Sequence, residues 1–180
     1  RKYHIQKIIS VIQGDCSNNE ALMEIFQSEG IKTIPFAYPH DKTDTSFLHD
    51  QLMKLAGNLG VPYSKAEEKK KRLDVIRAKV HKIDGLTWKE DTVTGEENHI
   101  WTVSTSDLMG DYTTFEERAI NFLKLAQERE PIRHDLRIGV IGIPPICEDL
   151  YPFLSSIGAH VVFNEIQRQF SMPYPTKTLV

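Results

Sequence analysis

Two stretches of this chain bring reactive or polar side chains just past an apolar run. The first is Gly14-Asp15-Cys16-Ser17-Asn18, directly after residues 8–12. The second opens as Arg137-Ile138-Gly139-Val140-Ile141-Gly142-Ile143-Pro144-Pro145 and resumes as Asn164-Glu165-Ile166-Gln167-Arg168-Gln169-Phe170-Ser171-Met172-Pro173. Both place polar groups beyond an expected buried strand, which is where open α/β sheets bind ligands. Cys16 stands between a strand and the start of a helix. Free backbone N–H groups and the partial positive charge of a helix start favour a thiolate there, the form that binds metal or attacks carbon. A small buried cysteine is the plainer reading of the same residue. Nucleophilic catalysis is the weakest reading, because no histidine placement pairs with Cys16. Cys147 follows Pro144-Pro145 at a similar turn, which the prolines explain by themselves.

Other chemistry-bearing residues are scattered. His40 with Asp41 and His49 with Asp50 lack any zinc-site spacing and read as solvated loop and helix residues. His99 lies near Trp101, Ser104, Ser106 and Asp107, and polar groups mixed with tryptophan suit a half-open pocket better than a plain core. Residues 164–170 are dense in hydrogen-bonding side chains after a buried strand, and such groups need partners when buried. Gly139, Gly142 and Pro144 do not spell a dinucleotide fingerprint, and Gly14 alone is no phosphate loop.

The elements that must position these residues follow from periodicity. Residues 8–12 predict a strand, which Gly14 breaks. Ser17, Asn18 or Asn19 caps a helix that Gly30 ends, and residues 31–36 predict a second strand closed by Pro39. This strand–helix–strand order predicts a parallel βαβ unit. Residues 47–59 predict a helix, and Ser64 caps another over 65–83 with Leu73, Ile76 and Val80 on one face. Residues 85–112 predict short helical turns. Thr113 or Thr114 caps a helix ending before Pro131. Strand 136–141, helix 146–157 and strand 161–163 then return to the α/β pattern. The expected architecture is a Rossmann-like parallel sheet from residues 1–63 and 132–180, with a mostly helical insertion over 64–131.

Length, composition and charge bound the function. The chain has 180 residues, 40% hydrophobic and 26% charged, with a net charge of −3, which gives no sign of a nucleic-acid or anionic-membrane partner. Lys69-Lys70-Lys71-Arg72 follows Glu67-Glu68 in a helical pattern and reads as a solvated face. No apolar stretch has the roughly 20 residues needed to span a bilayer. Two distant cysteines make no disulfide framework, so a reducing cytoplasmic setting is expected. A chain that opens on Arg1 and runs at once into a strand reads as an internal fragment of a longer protein.

Taken together, Gly14-Asp15-Cys16-Ser17-Asn18, Gly95-Glu96-Glu97-Asn98-His99 with Ser106-Asp107, residues 137–145 and residues 163–173 resemble the 2-hydroxyacyl-CoA dehydratase family, in particular its 2-hydroxyglutaryl-CoA dehydratase D-component-like members. The last stretch is the most specific of them. The resemblance implies a lyase with Rossmann-like domains around a four-iron (4Fe-4S) iron–sulfur cluster held by cysteines. It implies an acyl-CoA substrate, an ATP-dependent iron–sulfur activator protein, and a second homologous subunit as a further partner. In such enzymes one low-potential electron turns the thioester carbonyl into a ketyl, which expels the 2-hydroxyl and becomes an enoyl-CoA. By this resemblance Cys16 is the cluster (cofactor and metal) ligand, and Asp15, Ser17, His99, Ser106 and Asp107 are substrate-pocket candidates. No ligand role passes to Cys147. A cluster needs more cysteines than this chain has, so the fragment alone is expected to be inactive and without its cluster. Two alternatives stand beside it: a cluster-carrying ATP-coupled reductase or electron-transfer relative, and a non-catalytic α/β ligand-binding domain.

Overall fold

The computed structural model describes residues 4–14, 18–41 and 43–180. They divide into two compact units, one running to Lys70 and including Thr176–Val180, the other Lys71–Pro175.

In the first unit, strand β1 (Lys7–Gln13), helix α1 (Asn18–Ser28) and strand β2 (Lys32–Ala37) form the expected βαβ order. The strands pair in parallel from Lys7 opposite Lys32 to Gln13 opposite Ala37. Ile34, Phe36 and Ala37 are buried. Past β1 the backbone turns at Gly14 with φ +87°, and a Cβ there would sit 2.8 Å from the Tyr38 Cβ. Only glycine closes that turn at low cost. Helix α2 (Thr45–Leu59) starts two residues earlier than its apolar pattern predicts, because Asp44 caps it and accepts from the Phe47 N–H at 3.0 Å.

Helix α3 (Tyr63–Trp88) begins in the first unit, and from Lys71 onward it belongs to the second. It starts two residues earlier than the Ser64 cap predicts and ends five residues beyond the predicted end at Ile83. Gly85 weakens a helix there by about 1 kcal/mol, and tertiary bonds from Asp84 and Thr87 offset that loss. The span 85–112 holds more helix than short turns. Thr94 caps helix α4 (Gly95–Val103) through a complete capping box with Glu97, and two 3-10 turns follow at Ser104–Ser106 and Leu108–Gly110. Helix α5 (Tyr112–Gln127) is capped by Asp111 rather than by either threonine. Its carboxylate accepts from the Thr113 and Thr114 N–H groups at 2.9 and 3.4 Å. Trp101 joins two apolar clusters, Ile76–Val80–Leu108–Phe115 and Ile83–Val93–Ala119–Ala126, with ring centroids 5.3 Å from Phe115 and 5.2 Å from Phe122.

The same unit contains strand β3 (Leu136–Val140), helix α6 (Leu150–Ser156), strand β4 (Ala159–Asn164) and helix α7 (Glu165–Phe170). β3 and β4 pair in parallel, Leu136 opposite Ala159 through Val140 opposite Asn164. Helix α6 starts at Leu150, not at the predicted Ile146. Pro152 occupies its first turn, where a missing N–H costs no intrahelical bond, and residues 146–149 stay exposed. The chain is thus mixed α/β with parallel strand pairs. Among the described residues those strands make two two-stranded sheets, one in each unit.

Candidate functional site

The Lys71–Pro175 unit carries a buried polar network where α3, α4, β4 and α7 meet. Gly95 makes this meeting close: a Cβ on it would lie 2.4 Å from the Val161 Cβ and 2.7 Å from the Val161 carbonyl oxygen. Asn164, at the end of β4, donates from Nδ2 to the Gly95 carbonyl at 3.0 Å and to Asn98 Oδ1 at 2.9 Å. Asn98 donates in turn to Asp84 Oδ1 at 3.0 Å and Thr87 Oγ1 at 3.1 Å. Arg168 Nε closes the far end on Asp84 Oδ2 at 3.0 Å. Asn98, Asn164 and Gln167 have no exposed surface. Unpaired amides at such depth cost about 1–3 kcal/mol each, so the network decides how α4 seats on β4.

The other end of the network reaches a cavity of about 440 Å³, lined by Glu96, His99, Ile100, Tyr151 and the turn Pro145-Ile146-Cys147-Glu148. Tyr151 donates its hydroxyl to Asn164 Oδ1 at 2.7 Å, and Gln167 Nε2 lies 3.0 Å from His99 Nδ1. The His99 and Tyr151 rings are in contact, with centroids 5.4 Å apart. Burial lowers the His99 pKa from its ordinary value against an opposing pull from the Glu96 carboxylate. Burial pushes the Tyr151 phenol up to about 12, while a hydrogen bond from Gln167 acts in the other direction. At neutral pH the cavity therefore presents an uncharged imidazole and an uncharged phenol.

Of the residues expected at a site, His99 lines this cavity. Ser106 and Asp107 are instead exposed, at the end of the first 3-10 turn and between the two turns, where Asp107 accepts from the Met109 N–H at 2.9 Å and so serves the local turn. Asp15, Cys16 and Ser17 lie outside the described residues. Cys147 is an exposed thiol at the cavity rim, so it is not a packed core cysteine. Among the described residues no three His, Cys, Asp or Glu side chains are grouped to hold a metal ion. Gln167, Asn164 and Asn98 matter more than their individual sequence positions suggest. The one signal for two of them was the density of amides in 164–170, which needed partners.

A second, partly exposed polar cluster supports the start of β3. Arg137 Nη1 meets both Asp91 carboxylate oxygens at 2.7 Å, and His160, whose pKa burial lowers, lies 3.5 Å from Asp91. No protein-family model matches the chain, and no curated protein matches it. No helix among the described residues is long and apolar enough to cross a membrane.

Proposed function

We propose that this chain is the α/β part of a 2-hydroxyacyl-CoA dehydratase-like iron–sulfur protein, and that the Lys71–Pro175 unit receives the acyl end of a CoA thioester. One observation carries the reading. Three of the stretches that resemble the family, 95–99, 137–145 and 163–173, are distant in sequence, yet Glu96, His99 and Pro145 of the first two line one cavity and residues of the third hydrogen-bond the first. Asn164 bonds Gly95 and Asn98, Gln167 meets His99, and Pro145 of the proline turn lines the cavity with His99. Amides that far apart are retained as one network only if the junction they build is useful or structurally required.

The roles follow from the chemistry of the lining. Ile100, Ile146 and Pro145 offer apolar surface to an acyl chain, and the neutral His99 and Tyr151 offer polar groups without a charge to desolvate. The iron–sulfur cluster would supply one-electron chemistry in the whole protein, with Cys16 as one ligand and the remaining ligands from elsewhere. The Rossmann-like sheet of the family would likewise require strands beyond the two pairs described. The second reading is a non-catalytic ligand-binding domain, favoured by the pocket itself.

The test is turnover by the gene product containing this chain, purified without oxygen and supplied with an ATP-hydrolysing low-potential electron donor. A panel of short 2-hydroxyacyl-CoA thioesters should yield enoyl-CoA, and Cys16→Ala should abolish it. Binding of the thioesters with no enoyl-CoA formed would favour the ligand-binding domain.

A further inference from the structure

We propose that the cavity beside α4 is a binding site for an uncharged carbonyl group on an apolar chain, and that His99 donates to that carbonyl oxygen from Nε2. The hydrogen bonds behind the cavity run in one direction from Asp84 as far as Tyr151. The Asp84 carboxylate, held by Arg168, only accepts, so Asn98 turns its Nδ2 toward it. Asn98 Oδ1 then faces Asn164, which donates. Asn164 Oδ1 is left for the Tyr151 hydroxyl, which also donates. Gln167 presents its amide Nε2 to His99 Nδ1 at 3.0 Å, and an amide nitrogen only donates, so Nδ1 accepts. A neutral His99 whose Nδ1 accepts carries its proton on Nε2.

Gln167 Oε1 records the cost of this arrangement: it is buried with no hydrogen-bond partner. Turning the amide over would instead pair Oε1 with an Nδ1–H, the opposite tautomer to the one proposed. The ligand class follows from the lining. Glu96 and Glu148 repel a carboxylate or phosphate, and no lysine or arginine lines the cavity to offset them. A neutral ester, thioester or amide carbonyl meets no such penalty, and Ile100, Ile146 and Pro145 take its chain. That the natural ligand is an acyl thioester rests on the reading above. The hydrogen-bond direction and the preference for a neutral carbonyl do not.

The test is nitrogen–proton correlation NMR of histidine-labelled protein near neutral pH. The probe is N-(2-acetamidoethyl)butanamide, a thioester isostere that cannot acylate Cys147, and butyrate is the anionic control. The expected spectrum shows neutral His99 protonated on Nε2. The amide should shift that nitrogen, and butyrate at the same concentration should not. His99→Phe keeps a ring against Tyr151 and should weaken the amide about tenfold, the worth of one hydrogen bond. Gln167→Glu, which can only accept, should move the His99 proton to Nδ1; if that variant does not fold, the wild-type spectrum still decides. An Nδ1–H tautomer, an equal mixture, or an unmoved His99 on adding the amide overturns the proposal. So does butyrate binding as well as the amide. None of these readouts depends on iron, so they fail separately from the dehydratase reading.

Discussion

Asn98→Ala should remove about 3 kcal/mol of stability. Asn98 is fully buried and makes three hydrogen bonds, to Asp84, Thr87 and Asn164, at 3.0, 3.1 and 2.9 Å. Each abandoned partner keeps a second bond: Asp84 to Arg168, Thr87 to the Ile83 carbonyl, Asn164 to the Gly95 carbonyl. The loss is therefore near the net worth of three bonds, about 1 kcal/mol for each neutral one and about 2 for that to the carboxylate. Alanine returns roughly 0.6 kcal/mol of helix propensity. Urea unfolding of the wild type and the variant measures the difference. With a slope of about 2 kcal/mol/M the midpoint should fall by about 1.5 M. An unchanged slope and a loss below about 1 kcal/mol would refute the claim that this network seats α4 on β4. Asn98→Asp should be worse than alanine, since it sets a second carboxylate against Asp84.

Three more outcomes are expected. Gly95→Ala should destabilise by about 1–3 kcal/mol, the usual cost of overpacking, because its Cβ meets the Val161 backbone and side chain; unfolding curves that superimpose on wild type would contradict this close approach. His99 and His160 have folded pKa values below the ordinary 6.5, so the unfolded chain binds more protons just below that pH and stability should fall on acidification from about pH 7 to 5.5; denaturant titrations that stay flat over this window would count against their burial. Arg72 and Lys79 hold the Glu116 carboxyl down from 4.5 to about 2, so its contribution is complete above about pH 4.5 and lost as pH falls toward 2. Glu116→Gln should cost about 1 kcal/mol at neutral pH, the upper range for a solvent-facing pair, and should flatten the acid loss; an unaltered acid profile would show the pair to be inert.

The sequence made the first βαβ unit readable because its signals are local: a β-branched run, Gly14, helical spacing and Gly30 fall within about thirty residues. The start of α2 and the cap of α5 were misplaced by only a few residues, because Thr, Asp and Ser near a helix start compete for the capping role. The length of α3 and the existence of α4 were less legible. They depend on Asp84, Thr87 and Asn98 finding Asn164 and Arg168, partners separated by 66 to 84 residues for the bonds concerned, and no periodicity records that. His99 could be singled out from the polar and tryptophan residues around it. Tyr151 and Gln167 could not be joined to it, since the His99–Gln167 bond spans 68 residues. Ser106 and Asp107 shared the local polarity of His99 but are used by the turn that follows α4.

The most direct test of the dehydratase-like account is the iron and acid-labile sulfide content of the anaerobically purified gene product, with and without Cys16→Ala. The account predicts both elements in the wild type and a marked loss of both in the variant. A product that remains free of iron after anaerobic reconstitution would contradict it and leave the cavity beside His99 as the site of a cluster-free ligand-binding protein.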